Sequence, residues 1–124
     1  MKYFLAVDIG ASSGRHMLTH MEEDRMVLEE VHRFYNGMTE KNGHKIWDVD
    51  TLFEEIKIGM KKCASLGKIP ESMGIDTWAV DFVLLDKNGG RIGDAVAYRD
   101  ARTTGMDEGM PDCRREAYCK ESLR

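Results

Sequence analysis

A seven-residue apolar segment near the start of the chain, Tyr3 to Ile9, contains a single charged side chain, Asp8. An almost continuous apolar run of this length is typical of a central β-strand covered on both faces. Glycines and serines follow directly in residues 10–14, so we expect the chain to turn there. The sequence therefore predicts a strand inside a sheet with Asp8 near its carboxyl end, and a carboxylate at the end of a buried strand needs a partner.

The pattern after this turn predicts two more strands, residues 16–21 and 26–34, joined by a short polar turn into an antiparallel meander. Simple alternation along the second of them would place Val27 and Val31 on one face and Phe34 on the other. We therefore expect this strand to be covered on both sides as well.

The hydrophobic period then changes to steps of three and four between Val49 and Ala64, which predicts one amphipathic helix over residues 50–66. Asp48 or Asp50 suits the N-cap, and Gly67 suits the C-terminal stop.

Beyond the helix, residues 73–80 and 82–85 are predicted strands, and the turn at 87–90 leads into a hairpin strand over 91–98. The order is βββαβ followed by a hairpin. We expect a mixed sheet with residues 3–9 at its centre, 73–80 parallel to it, and the helix packed across one face.

The composition of the chain argues against two classes of binding partner, nucleic acids and membranes. The chain has 124 residues and a formal net charge of −4, which provides no basic footprint for nucleic acid or for an anionic membrane. No apolar stretch reaches the roughly 18 residues of a membrane span. The three cysteines lack metal-ligand spacing, so we expect reduced thiols in a soluble cytoplasmic protein. The four histidines are scattered, and we interpret them as surface or hairpin residues.

The most informative stretch for chemistry is residues 7–15, where a strand ends in Asp8 and a glycine and serine loop follows. The backbone N–H groups, the hydroxyls and the guanidinium of Arg15 suit a phosphate chain, and Asp8 suits a magnesium ion. The loop has no lysine, so it is not the Walker loop. A plain hairpin turn in which Gly10 and Gly14 supply positive φ is the alternative.

A second constellation lies in residues 74–82, where Asp76, Trp78 and Asp81 cluster between two strands. An indole face and carboxylates can form the wall of a sugar pocket. The alternative, favoured without further context, is a core tryptophan with two capping aspartates. A third group, residues 98–102, fits a structural ion-pair corner better than a site.

Four stretches together, residues 7–15, 32–34, 47–50 and 74–86, resemble the FGGY family of carbohydrate kinases, and within it the kinases of L-rhamnulose. The resemblance covers about residues 3–105. It implies an α/β, ribonuclease H-like (actin-like ATPase) fold in two lobes, whose first lobe begins βββαβ.

The resemblance also implies a reaction, the ATP-dependent phosphorylation of L-rhamnulose to L-rhamnulose 1-phosphate with Mg²⁺ as the cofactor of ATP. Asp8 matches the magnesium-associated aspartate of the family. The positions that match its nucleotide-phosphate loop are Ala11, Ser12, Ser13, Gly14 and Arg15, and those assigned to the sugar are Trp78, Ala79 and Asp81. Ala79 stands where the family usually has glycine, which leaves another ketose, such as xylulose or fuculose, as the alternative substrate.

Members of this family are far longer, and they contribute the catalytic aspartate and most adenine contacts from the second lobe. We therefore expect no catalytic residue in this chain, an incomplete first lobe over residues 1–102, and a divergent, poorly ordered tail over 103–124. The isolated chain is expected to be inactive, either as an enzyme fragment or as an inert folded module. We also expect exposed apolar surface that allows self-association.

Overall fold

A four-stranded mixed sheet with one helix packed on it dominates the computed structural model, which describes residues 1–106 and residue 108. The elements in chain order are β1 Tyr3–Ile9, β2 Ser13–Glu22, β3 Arg25–Tyr35, β4 Thr39–Lys41, β5 His44–Trp47, α1 Val49–Ser65, β6 Pro70–Asp76, β7 Leu84–Leu85, β8 Arg91–Ile92, β9 Ala95–Val96 and a 3₁₀ turn at Ala101–Thr103. Apart from residues 103–106 and 108, the predicted tail lies outside the described residues.

The strand order of the sheet is β3-β2-β1-β6, with β2 antiparallel and β6 parallel to β1. The central position of β1 and the mixed character of the sheet are both as predicted. No helix among residues 1–106 and 108 is long and apolar enough to cross a membrane.

Only one face of the sheet is covered within the described part of the chain. Leu5, Val7 and Ile9 are buried against the helix side, whereas Phe4, on the opposite face of β1, is 40% exposed. On the same face, Phe4 pairs with Thr19 of β2 and Thr19 pairs with Leu28 of β3, and Leu28 is also exposed. The expectation that β1 is covered on both faces is therefore wrong here. The predicted exposed apolar surface is present, and self-association through it stays a prediction.

A β-bulge in β3 overturns the predicted facing of Phe34. His16 pairs with His32 and Met17 pairs with Glu30, so Val31 is an extra residue in the ladder. An extra residue reverses the alternation beyond it. Phe34 consequently joins Val31 in the core instead of pointing to the opposite face.

The helix begins one residue before the predicted start and ends one residue before the predicted end. The N-cap is Asp48, which accepts a hydrogen bond from the Thr51 N–H at 2.9 Å. Gly67 follows the helix with a positive φ of 70°, the left-handed conformation that favours glycine after a helix. On the buried side of the helix, Gly59 and Cys63 pack towards the sheet.

The remaining strands depart from the prediction in three places. Strand β6 ends at Asp76, so residues 77–83 form an irregular segment and not a strand. The hairpin around 87–90 forms between β7 and β8, but Gly93, with φ 71°, separates β8 from β9. A hairpin between β4 and β5 was also missed. Its Asn42-Gly43 turn has positive φ at both positions, which is the requirement of a type I′ turn.

The histidines were interpreted as surface or hairpin residues, and three of them lie on the β2–β3 hairpin but are not at the surface. His16 is fully buried, His20 is 9% exposed, and the His32 side chain is buried between Glu55 and Lys62. Burial lowers the pKa of His16, since charging a desolvated imidazole is costly. The rings of His16 and His32 lie between the sheet and α1.

The corner at residues 98–102 has a structural role, but hydrogen bonds to the Asp100 carboxylate hold it where ion pairs were predicted. Asp100 is 7% exposed and accepts hydrogen bonds from the backbone N–H of Lys45 at 2.7 Å and of Arg102 at 3.1 Å, and it also contacts His44 Nδ1. These donors, led by the Lys45 amide, lower the pKa of Asp100 to about 2. The carboxylate joins the end of the described chain to β5.

We expect Asp100 to contribute acid sensitivity to folding. Its pKa is lower in the folded than in the unfolded chain, so its stabilisation is complete above about pH 4 and is lost as the pH falls from about 4 towards 2. Asp100→Asn should therefore lower the thermal midpoint at pH 6 and flatten its decline between pH 4 and 2. Thermal melts across this range measure both effects, and an unchanged slope in the variant would contradict the assignment.

Candidate functional site

The turn between β1 and β2 is braced by a residue that the sequence analysis did not single out. Asn36 donates its backbone N–H to the Ser12 carbonyl at 3.0 Å and its side-chain amide to the Gly10 carbonyl at 2.8 Å. Gly10 N–H closes the turn on the Ser13 carbonyl at 2.8 Å. Asn36 is 5% exposed, so the turn is held from inside the fold. The Asn36-Gly37 dipeptide directly after an apolar strand is the sequence signal that could have identified Asn36.

The glycines of this turn do not supply the positive φ angles that a plain hairpin turn was expected to need. Neither Gly10 nor Gly14 has a positive φ. A Cβ on Gly14 would lie 2.1 Å from the Phe34 ring, so glycine is required there by close packing. The shape of the turn therefore depends on packing and on Asn36 and not on left-handed backbone.

Asp8 has the partner that its position requires, and that partner is Arg15. Both Arg15 Nε and Nη2 donate to Asp8 Oδ2, at 2.9 and 2.8 Å, with both side chains about half exposed. Asp76 is the register neighbour of Asp8 on β6. The carboxyl end of the sheet thus presents two carboxylates and one guanidinium on its uncovered face.

This end of the sheet is compatible with a magnesium ion that is bound mainly by phosphate oxygens. Within residues 1–106 and 108, no group of three or more histidine, cysteine, aspartate or glutamate side chains could hold a metal ion. Mg²⁺ accepts one or two carboxylates when waters and a nucleotide complete its shell. Asp8 fits that limited role because its oxygens are partly open to solvent.

The second predicted site is organised around one carboxylate oxygen. Asp81 Oδ2 accepts hydrogen bonds from Trp47 Nε1 at 2.6 Å and from Trp78 Nε1 at 2.7 Å. The two ring centroids lie 4.4 Å apart. Trp47 is 3% exposed and was not among the predicted site residues, although its place directly before the helix cap is a signal that could have identified it.

These residues line a cleft of about 320 Å³ at the carboxyl end of β1. Its wall combines the two indoles and Asp81 with apolar side chains from several elements, including Ile9, Leu52 and Phe82. Ala79 is exposed in the turn between Trp78 and Asp81 and does not line the cleft. The structure therefore brings two of the three predicted sugar residues together and places the third beside them.

The two predicted sites are adjacent. Ala11, from the β1–β2 turn, packs against the buried cluster that contains Trp47, and Ile9 lies both at the end of β1 and in the cleft wall. A ligand in the cleft would therefore lie close to the turn. Asp76, which was grouped with Asp81 by sequence, lies instead next to Asp8.

Comparison with known proteins points to one family. Residues 3–122 match the model of the N-terminal domain of the FGGY family of carbohydrate kinases, which reaches beyond residue 105, where the resemblance seen in the sequence ended. The chain is 58% identical over 123 residues to the rhamnulokinase of Halalkalibacterium halodurans, and 47% identical over 100 residues to that of Bacillus subtilis. These matches cover 99% and 81% of the chain but only 25% and 21% of the relatives. The chain thus spans about a quarter or less of their length.

Solved structures agree on the fold. A ligand-bound xylulose kinase from Lactobacillus acidophilus superposes with a TM-score of 0.69, at 13% identity, over 98% of this chain and 24% of that one. A glycerol kinase from Plasmodium falciparum with ADP gives a TM-score of 0.63, at 17% identity, over 92% of this chain and 24% of that one. The predicted actin-like ATPase fold is confirmed.

Proposed function

The chain belongs to the FGGY family of carbohydrate kinases, and on that premise we propose that it is the first part of a kinase that transfers the γ-phosphoryl group of ATP to the 1-hydroxyl of L-rhamnulose. The observation that carries the proposal is the run of five rhamnulokinases that are 47 to 58% identical to it over 81 to 99% of its length. ATP, Mg²⁺ and a small-molecule sugar are the ligands of this proposal, and the cytoplasm is its location.

In this proposal the β1–β2 turn positions the nucleotide. The residues that would do so are Ala11, Ser12, Ser13, Gly14 and Arg15. Asn36 holds two carbonyls of the turn inwards, which supports a fixed position for the loop. Bound Mg²⁺ would supply charge neutralisation to the phosphates, and Asp8 would hold it. Arg15 would then exchange its bond to Asp8 for phosphate oxygens, because a guanidinium binds either oxyanion well.

The sugar would occupy the cleft beside this turn. Trp78 offers an indole face for the apolar side of a ketose, and Ala79 lies at the cleft margin. Asp81 already binds two indole N–H groups through Oδ2, so contact with a sugar hydroxyl would fall to its other oxygen. Ala79 does not line the cleft itself, so its methyl group would narrow only the margin where glycine would leave more space, and another ketose, xylulose or fuculose, stays the second candidate.

A chimera tests the proposal directly. The matching first quarter of the Halalkalibacterium halodurans rhamnulokinase would be replaced by this chain, so that the relative supplies the remaining sequence. We expect the chimera to phosphorylate L-rhamnulose in preference to xylulose and fuculose, measured as sugar-dependent ADP release. Preference for another ketose would assign the substrate to that sugar, and a folded chimera that phosphorylates none would refute the proposal.

Ala79→Gly in the same chimera is the matched variant for substrate choice. If the Ala79 methyl group narrows the sugar site, the glycine variant should accept the competing ketoses better relative to L-rhamnulose. One methyl group is worth roughly 10- to 200-fold in discrimination at most. Ratios of kcat/KM for the three sugars measure the effect.

A further inference from the structure

The turn that follows the predicted sugar residue Ala79 holds a strained backbone. Val80 has a φ of 71°, and it is one of three non-glycine residues with positive φ in the described part of the chain. The others, Glu23 and Asn42, lie at hairpin tips, where such angles are common. A β-branched residue in this region is an outlier, because its Cβ substituents clash with the backbone.

The side chain of Val80 does not offset this strain. It is 78% exposed, so it gains little from packing. Glycine or asparagine would adopt the same angle at a lower cost. The left-handed conformation must therefore be imposed by the neighbours of Val80.

Asp81, which directly follows Val80, and Trp78, two residues before it, are joined through one oxygen atom, Asp81 Oδ2. Trp78 donates to Asp81 Oδ2, which closes the four-residue turn 78–81 around Val80. Trp47, the buried last residue of β5, donates to that same oxygen and fastens the closed turn to the core. The close indole pair leaves little freedom for either ring.

We propose that Asp81 is a positioning residue, whose double hydrogen bond to Trp47 and Trp78 holds Val80 in its strained conformation and thereby fixes the backbone of residues 79–80 at the mouth of the sugar cleft. The sugar part of this inference rests on the proposed function, and the coupling between Asp81 and Val80 does not. The strained turn is preorganised for a ligand, and binding to a preorganised site avoids the cost of ordering it.

A thermodynamic cycle without ligand tests the coupling in the 124-residue chain. Val80→Gly should raise the thermal midpoint by removing strain, and Asp81→Ala should lower it. In the Val80→Gly background the loss caused by Asp81→Ala should be larger than in the wild type, because in the wild type that substitution also lets Val80 relax and so recovers part of the loss, whereas glycine has no strain to release. Additive effects, or a lowered midpoint in Val80→Gly, would overturn the proposal.

Glu23→Gly is the matched control. Glu23 also has a positive φ, of 52°, and it lies at the exposed tip of the β2–β3 hairpin. Its replacement should relieve strain in the same way, but its effect should simply add to that of Asp81→Ala. Equal coupling at both positions would show that the cycle reports general stability and would overturn the link between Asp81 and Val80.

Binding of L-rhamnulose tests the positioning role. Trp47 and Trp78 are the two tryptophans of the chain, so intrinsic fluorescence reports the cleft without a label. We expect Val80→Gly to bind the sugar about tenfold more weakly than the wild type despite its higher stability, since preorganisation is lost. Glu23→Gly should bind normally.

The outcomes separate the two hypotheses. Equal sugar affinity in the wild type and Val80→Gly would refute the positioning role and leave the proposed function intact. A wild-type chain with no saturable fluorescence change, beside a chimera that does phosphorylate the sugar, would also refute the role, because the turn would then not prepare a site by itself. Absence of both signals would refute the proposed function.

Discussion

The 124-residue chain by itself should release no ADP from ATP above background when L-rhamnulose is added. Phosphoryl transfer depends on holding the attacking hydroxyl in line with the γ-phosphate and on a carboxylate that accepts its proton. General base catalysis alone is typically worth about 10²- to 10⁴-fold, so its loss removes most of the rate. We expect that base to lie outside this chain.

The carboxylates near the site in the described structure support this expectation. Asp8 is bound to Arg15, and Asp81 is bound to two indoles. Asp76 lies beside Asp8 and does not line the cleft where the sugar would bind. Asp8 and Asp76 are therefore not placed to accept a proton from a hydroxyl in the cleft. Asp81, in contrast, lines the cleft and has one oxygen that is not bonded to an indole, so Asp81→Asn is the variant that tests it as a base.

A coupled assay for ADP measures the effect, with the Halalkalibacterium halodurans relative as the positive control. Mg-ATP should also bind the chain only weakly, because exposed phosphate contacts contribute little net free energy. ADP release that depends on the sugar and disappears in Asp81→Asn would contradict both this expectation and the positioning role of Asp81. Submicromolar binding of Mg-ATP would show that adenine contacts are present in this chain.

The sequence predicted the elements whose signals are local. The apolar run of residues 3–9 and the helical period from Val49 onwards are repeated over many residues, so they identified the central strand and the helix to within one residue. The parallel pairing of β6 also followed, because a strand that returns after a helix pairs in parallel. These features need no knowledge of distant contacts.

The features that the sequence did not predict depend on single residues or on partners that are distant in the sequence. One extra residue at Val31 reversed the facing of Phe34, and a bulge leaves no mark in the alternation of apolar residues. Residues 78–83 are apolar apart from Asp81 and have strand propensity, but the bonds from two indoles to Asp81 hold residues 78–81 in a turn instead. Asn36 was missed for the same reason, because its partners in the β1–β2 turn lie far away in sequence.

The largest effect on stability is expected at Gly59, where α1 crosses β2. A Cβ on Gly59 would lie 2.2 Å from Cδ2 of His16. That imidazole is fully buried, its Nε2 contacts the Ile56 carbonyl at 3.2 Å, and its ring lies against the rings of His32 and Phe34. The ring therefore has no free space into which it could move.

Two opposing effects decide whether Gly59→Ala raises or lowers the free energy of unfolding. In a helix interior, alanine stabilises the folded state by about 1 kcal/mol relative to glycine. Overpacking a tight core costs about 1 to 3 kcal/mol, and an overlap with a ring held on several sides belongs at the upper end. We therefore expect a net loss of about 1 to 2 kcal/mol for Gly59→Ala, and a loss of about 3 kcal/mol or more for Gly59→Leu, which is a large fraction of the stability of a small domain.

Gly74→Ala is the matched control for the same chemical change. Gly74 has ordinary backbone angles, and a Cβ built there meets no atom within 4 Å. The free energy of unfolding of Gly74→Ala should therefore rise by about 0.5 to 1 kcal/mol, since alanine loses less backbone entropy than glycine when a strand forms. Urea melts of the two variants should move in opposite directions. Adding His16→Ala to Gly59→Ala should shrink the penalty of the Gly59 change, because the obstructing ring is gone. If the Gly59→Ala penalty is the same with and without the ring, the close approach of the helix to His16 is not what requires glycine at this position.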